Sequence, residues 1–144
     1  MHIEINDKTL LKNIQDVFSD FYPYLKIEFY NTRHKKYEGS MEADLIDPLT
    51  DIGSLRHKHV SGILEIQPFF KVADVEKEFQ QHFKLSVQVF NKDKDGWRQT
   101  TEMDDFTLKE LNQIGRNSSD EFIISDYEES FEEDAENPDG YINV

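Results

Sequence analysis

Cysteine is absent from the 144 residues, which removes disulfide staples, thiolate zinc sites and cysteine nucleophiles together. The six glycines and four prolines are scattered, so neither a Walker-type phosphate loop nor a G-x-S-x-G nucleophile elbow can be built from them. No apolar run approaches the ~18 residues a membrane-crossing helix needs. "MHIEINDK" lacks the basic and apolar regions of a secretory signal. The expectation from these absences is a cytoplasmic chain with no membrane partner and no cofactor.

Positive charge is also scarce: 16 Lys and Arg stand against 30 Asp and Glu, a formal net charge of −14. The imbalance is concentrated at one end. Residues 120–144 hold ten acidic side chains and no Lys or Arg, whereas residues 1–119 hold 20 acidic and 16 basic ones, a net of −4. The chain therefore divides into one domain, 1–119, and an acidic C-terminal tail, 120–144. A domain of that length can bury a core without staples. The tail is not uniformly polar, since "EFIISDYEESF" interleaves Phe122, Ile123, Ile124, Tyr127 and Phe131 with its carboxylates. That pattern suits a docking segment better than a solubilising one.

Hydrophobic periodicity orders the domain. "HIEI" places Ile3 and Ile5 on one side of a strand. Leu10, Leu11, Ile14, Val17, Phe18 and Phe21 form a helical stripe that Pro23 ends. "YLKIEFYN" alternates with Leu25, Ile27 and Phe29 inward; residues 32–59 lack any sustained period and read as a long excursion; "VSGILEIQ" is a further strand. A second helix carries Val72, Val75, Phe79 and Phe83 on one face, "LSVQVFNK" alternates, and "KDG" turns the chain back through "WRQTT". In "FTLKEL", Thr107 and Glu110 spell a capping box, with Phe106 and Leu111 as a flanking staple and Gly115 where a helix would stop. No stretch repeats another. The order, two β-α-β halves with a hairpin and a third helix, points to an α+β fold. Its expected outline is ferredoxin-like: one mostly antiparallel sheet with helices on one face, plus the acidic tail.

"LSVQVFNKDKDGWRQTTEMDDFTLKELNQIG", Leu85 to Gly115, resembles a segment of small bacterial proteins of uncharacterised function, in which a helix, a V-x-V-F strand, a Trp-bearing strand and a T-L-x-x-x-N helix follow one another. With the preceding helix it spans about a third of the chain. It implies an intact domain and carries no activity, cofactor or catalytic residue. Lys71 departs from it, standing where a Ser or Thr cap is expected before "VADVEKEF".

Candidate chemistry is thin. His57 and His59 would project to one side of an extended strand, where Asp44, Asp47, Asp51 or His34 could join them around a metal, but Arg56 and Lys58 would repel the cation. Asp104 and Asp105 precede the capping box, where negative charge serves the helix N-terminus. The outward sheet face is expected to carry Lys26, Glu28, Tyr30, Ile63, Glu65, Gln88 and Phe90. Exposed aromatics there suggest an RNA platform, yet the consensus for one is missing and the net charge opposes phosphate. A protein cover for Tyr30, Ile63 and Phe90 fits better. Two basic clusters, Arg33, Lys35 and Lys36 and then Arg56 and Lys58, flank the excursion and would suit the acidic tail.

These features favour a non-enzymatic protein–protein interaction module, with Phe122, Ile124 and Phe131 as tail anchors. Its partner would be another protein or a second copy, as a homodimer, with no direct nucleic-acid binding. Two alternatives are an acidic phosphate mimic acting on nucleic-acid-binding machinery and a metal-dependent enzyme using the 32–59 loop.

Overall fold

Each alternating segment becomes a strand, and each buries the side its pattern assigns. The computed structural model describes residues 1–31, 39–55 and 59–119. Strand β1 (His2–Asn6) buries Ile5 and exposes His2, Glu4 and Asn6. It pairs antiparallel with β3 (Ser61–Glu65), Ile3 lying opposite Leu64. Strand β2 (Leu25–Tyr30) buries Leu25, Ile27 and Phe29 and pairs antiparallel with β4 (Ser86–Asp93), which pairs with β5 (Gly96–Gln99). Lys94 and Asp95 form the two-residue hairpin loop, with Gly96 at φ +119° and the Asp95 N–H donating to the Asp93 carboxylate.

Helix α1 (Leu11–Phe21) buries Leu11, Ile14 and Phe18, and α2 (Val72–Phe83) buries Val72, Val75, Phe79 and Phe83. Both sets follow the three-and-four spacing of a helix face turned to a core. Phe79 meets Phe29 edge-on at 5.5 Å between ring centroids. Of the inward stripes read from the sequence, most residues are buried; Leu10 is half-buried because the chain is still extended there, at φ −81° and ψ 148°, Val17 is half-buried, and Phe21, in the last turn of α1, is exposed. Helix α3 (Leu108–Ser119) adds Leu108 and Leu111 to the same core. Among the described residues, no helix is long and apolar enough to cross a membrane.

The fold is α+β with two antiparallel sheets, β1–β3 and β2–β4–β5. The ferredoxin-like outline expects one sheet, and the difference lies in the pairing. Here each strand of the first β-α-β half lies against its counterpart in the second: β1 against β3 and β2 against β4. The two halves thus repeat each other, although no stretch of sequence announces it. Leu11, Ile14, Phe18, Leu25 and Ile27 of the first half correspond to Val72, Val75, Phe79, Leu85 and Val87 of the second, and all ten are buried. Apolar character is what the halves share, and it is too common to register as a repeat.

The correspondence extends to how the helices start. An α-helix leaves its first N–H groups without intrahelical partners. In α2, Val72 and Ala73 donate theirs to the carbonyls of Phe106 and Asp104; in return, Leu108 and Lys109 of α3 donate to Phe70 and Pro68. In the first half, Leu11 and Lys12 donate to Thr50 and Pro48, while Ile52 and Gly53 donate back to Thr9 and Asp7. The short 3₁₀ turn Ile52–Leu55 thereby stands where α3 stands in the second half. The residue before each helix, Leu10 or Lys71, gives its own N–H to the side chain of Asn13 or Asp74. These reciprocal bonds explain why Lys71 can replace a Ser or Thr cap: backbone carbonyls from another segment do the capping.

Thr107 does cap α3 with its own side chain. Glu110 N–H donates to Thr107 Oγ1 at 3.1 Å, and Thr107 N–H donates to Glu110 Oε1 at 2.9 Å. Thr107→Ala removes one half of this box and should lower stability by about 1 kcal/mol, measured by chemical denaturation. The staple differs from expectation, since Leu111 is buried while Phe106 faces outward. Gly115 also differs. It does not end α3, which continues to Ser119, but sits within it where the helix meets the backbone of Lys92 and Tyr24.

Candidate interaction surface

The outward face of the three-stranded sheet is where strand alternation leaves side chains unclaimed by the core. Residues 39–46 return across one end of it. Ser40 N–H donates to Gln99 Oε1 at 2.9 Å and Gln99 Nε2 donates to the Ser40 carbonyl at 3.0 Å, a two-point clasp. Ser40 Oγ donates to Gln88 Oε1 at 3.2 Å. Asn31 N–H then bonds the Asp44 carbonyl and Ile46 N–H the Phe29 carbonyl, laying this segment along the free edge of β2.

The consequence is a correction at two positions expected to be open. Tyr30 is 5% exposed and Gln88 fully buried, so neither is available to a partner in this arrangement. Burial pushes the Tyr30 phenol up to about 12, and the Glu28 and Glu42 charges add to the shift. Ile63 remains exposed, but on β3, in the other sheet.

What stays open is the opposite end of the face. Lys26 lies opposite Phe90, and Lys92 opposite Trp97, in the strand register. The Lys26 ammonium sits 5.1 Å from the centroids of both the Phe90 and Trp97 rings, and Lys92 sits 5.8 Å from that of Trp97. Ring faces attract cations electrostatically, so these lysines are held over apolar surface. Lys26 also pairs with Glu28 at 2.9 Å. Phe90 is half-buried and Trp97 is 41% exposed. The alternation that named Phe90 named neither Lys92 nor Trp97. The hairpin turn, which sets Trp97 opposite Lys92, was the signal for both.

A second surface feature lies along α3: an open hollow of about 610 Å³ lined by Phe106, Thr107, Lys109, Glu110, Gln113 and Ile114. Phe106 and Ile114 are both exposed, as is Phe69 in the segment bonded to the start of α3.

The histidine site assembles differently from the metal cluster considered above. His59 Nδ1 lies 2.5 Å from Asp7 Oδ2, and Val60 N–H donates to Asp7 Oδ1 at 2.6 Å. Asp51 accepts from both the N–H and the hydroxyl of Ser54, and Asp47 accepts from the Leu49 N–H, so each serves a local turn. Among the described residues, no three His, Asp or Glu side chains converge to hold a metal. The hydrogen bond and charge of Asp7 raise the His59 pKa, and the bonds from His59 and Val60 lower that of Asp7. The His59 contribution to stability is therefore complete below its ordinary value of 6.5 and fades as pH rises through the raised one; that of Asp7 is present above 3.8 and fades as pH falls. Asp7→Asn should return the His59 titration, followed by NMR, toward 6.5.

His34, His57, Arg33, Lys35, Lys36, Arg56, Lys58, Phe122, Ile124 and Phe131 lie outside the described residues. In comparisons with known proteins, no family model, no curated protein and no solved structure matches this chain.

Proposed function

We propose that this chain is a protein–protein interaction module with no chemical step of its own. Its acidic, apolar-studded tail and the open end of its outer sheet face bind a partner protein or a second copy of the chain. The observation that supports this best is the Lys26–Phe90–Lys92–Trp97 group. A tryptophan exposed on the edge strand supplies the large, rigid anchor on which interfaces concentrate their energy. Lys92, held over the Trp97 ring, puts positive charge beside that anchor, while Lys26 shares its charge with Glu28, so the face suits segments that combine a carboxylate with apolar side chains. The returning segment 39–46 confines the open area to this end of the sheet.

The test is capture from native lysate by the full chain and by a Trp97→Ala, Lys92→Glu variant, with sizing and light scattering of both. A protein retained only by the unaltered chain, or a dimer that the variant dissolves, bears the reading out. Identical capture by both chains, with both monomeric, overturns it.

A further inference from the structure

We infer that residues 39–41 are a releasable strap across the outer sheet face, opening on a hinge at Glu42–Asp44 to uncover Gln88 and Gln99. The strap regulates the site proposed above, and that role rests on the interaction reading; the motion itself does not.

Three observations carry it. The first is how little the strap buries. Gly39 and Met41 are exposed and Ser40 is half-buried, so none of its side chains enters the core. Met41, its one large apolar residue, is 69% exposed. Its hold on the face is the pair of bonds between Ser40 and Gln99 and the bond from Ser40 Oγ to Gln88. Water can replace both sides of each bond when the strap leaves, so the net worth of each is small. A segment with few buried apolar contacts opens before the fold does.

The second is where the strap turns. Asp44 N–H donates to the Met41 carbonyl and Leu45 N–H to the Glu42 carbonyl, so the 3₁₀ turn Glu42–Asp44 closes on itself. Past it, the bonds from Asn31 N–H to the Asp44 carbonyl and from Ile46 N–H to the Phe29 carbonyl pin the chain to β2. Residues 39–41 can leave the face while every one of these bonds persists.

The third is a contrast within the repeat. In the second half, β4 joins its edge strand β5 through Lys94 and Asp95 alone. In the first, a longer stretch separates the bonded residues Asn31 and Asp44. The crossing is therefore an addition to the fold and not a requirement of it. Gly39 suits the addition, because a Cβ there would collide with Gln99 Oε1 and force the clasp apart.

With the strap away, Gln88 and Gln99 join Phe90, Lys92 and Trp97 on one continuous face. Gln99 lies opposite Phe90, and Gln88 is the neighbouring outward residue of β4. The freed Gln99 amide can take the N–H and carbonyl of an extended partner segment, as it now takes those of Ser40.

Native-state hydrogen exchange of the full chain tests the release. The Ser40 amide should be protected about a hundredfold, the scale set by a few such bonds. That protection should not depend on urea below the unfolding transition, because the opening exposes little surface. The Phe79 amide, inside α2, should exchange far more slowly and with the full urea dependence of unfolding. Gly39→Val and, separately, Gln99→Ala should abolish the Ser40 protection and leave that of Phe79 unchanged. A partner retained in the capture test should bind the Gly39→Val chain more tightly, by up to the same factor. Ser40 protection that follows urea as Phe79 does, or no protection in the unaltered chain, overturns the strap. Loss of Phe79 protection together with that of Ser40 in both variants overturns it too. Unchanged affinity of a captured partner for Gly39→Val overturns the regulatory role. Failure to capture any partner overturns the interaction reading alone, since the exchange result stands without one.

Discussion

Phe79→Ala will lower the unfolding free energy by about 3–5 kcal/mol, the range for truncating a fully buried aromatic side chain. Phe79 has no solvent-exposed surface, stands in the middle of the buried face of α2, and meets Phe29 of β2 edge-on. Its removal opens a void between a helix and a sheet that the rest of the core cannot readily fill. It also deletes the Phe29–Phe79 ring contact that joins the two halves of the repeat. Urea denaturation of the variant checks this. A loss below ~1 kcal/mol would mean that the neighbouring side chains collapse into the void.

Gly115→Val is expected to cost about 3 kcal/mol, the upper end of what overpacking a close contact does. In an isolated helix, replacing glycine usually helps, because glycine is the most entropically costly ordinary residue there. Here the helix approaches backbone. An added Cβ would meet the Lys92 carbonyl oxygen and Tyr24 Cβ, each at 2.8 Å, and the carbonyl is fixed by the β2–β4–β5 sheet. Either α3 moves away from the sheet or the β4 end distorts. Gly115→Ala should destabilise less, since it adds the same clash without the branched methyls. If thermal denaturation finds either variant more stable than the unaltered chain, the contact between α3 and β4 is looser than the structure describes.

How far each element could be read in advance depended on how local its physics is. The capping box at Thr107 and Glu110 was legible because donor and acceptor sit three residues apart and form the helix start by themselves. The alternation of Leu25, Ile27 and Phe29, and of Val87 and Val89, was legible for the same reason. Gly115 was misjudged because a glycine near a helix end has two explanations, a left-handed stop or a close approach. Only the position of Lys92, which is distant in sequence, decides between them. Tyr30 and Gln88 have the alternation of outward residues, and they are outward. They are buried because Ser40 and Leu45 return over them, which no pattern within the strand reports. Lys71 looked like a missing cap because the carbonyls that replace it belong to Asp104 and Phe106. Of the candidate site, Phe90 was visible and its setting was not. Lys92 and Trp97 join it through a register that the hairpin fixes and a single strand cannot show.

The exchange of carbonyls between the starts of α2 and α3 has a dynamic corollary. A helix with a side-chain cap can fray its first turn alone, returning its N–H groups to water. Here, releasing Val72 and Ala73 from Phe106 and Asp104 separates the same two segments whose bonds hold Leu108 and Lys109 to Phe70 and Pro68. The two first turns must therefore exchange their amide hydrogens together, with one opening free energy for both. The start of α3, adjacent in space to α2 but far along the chain, inherits the protection of the core helix and gives whatever follows Ser119 a stationary point of attachment.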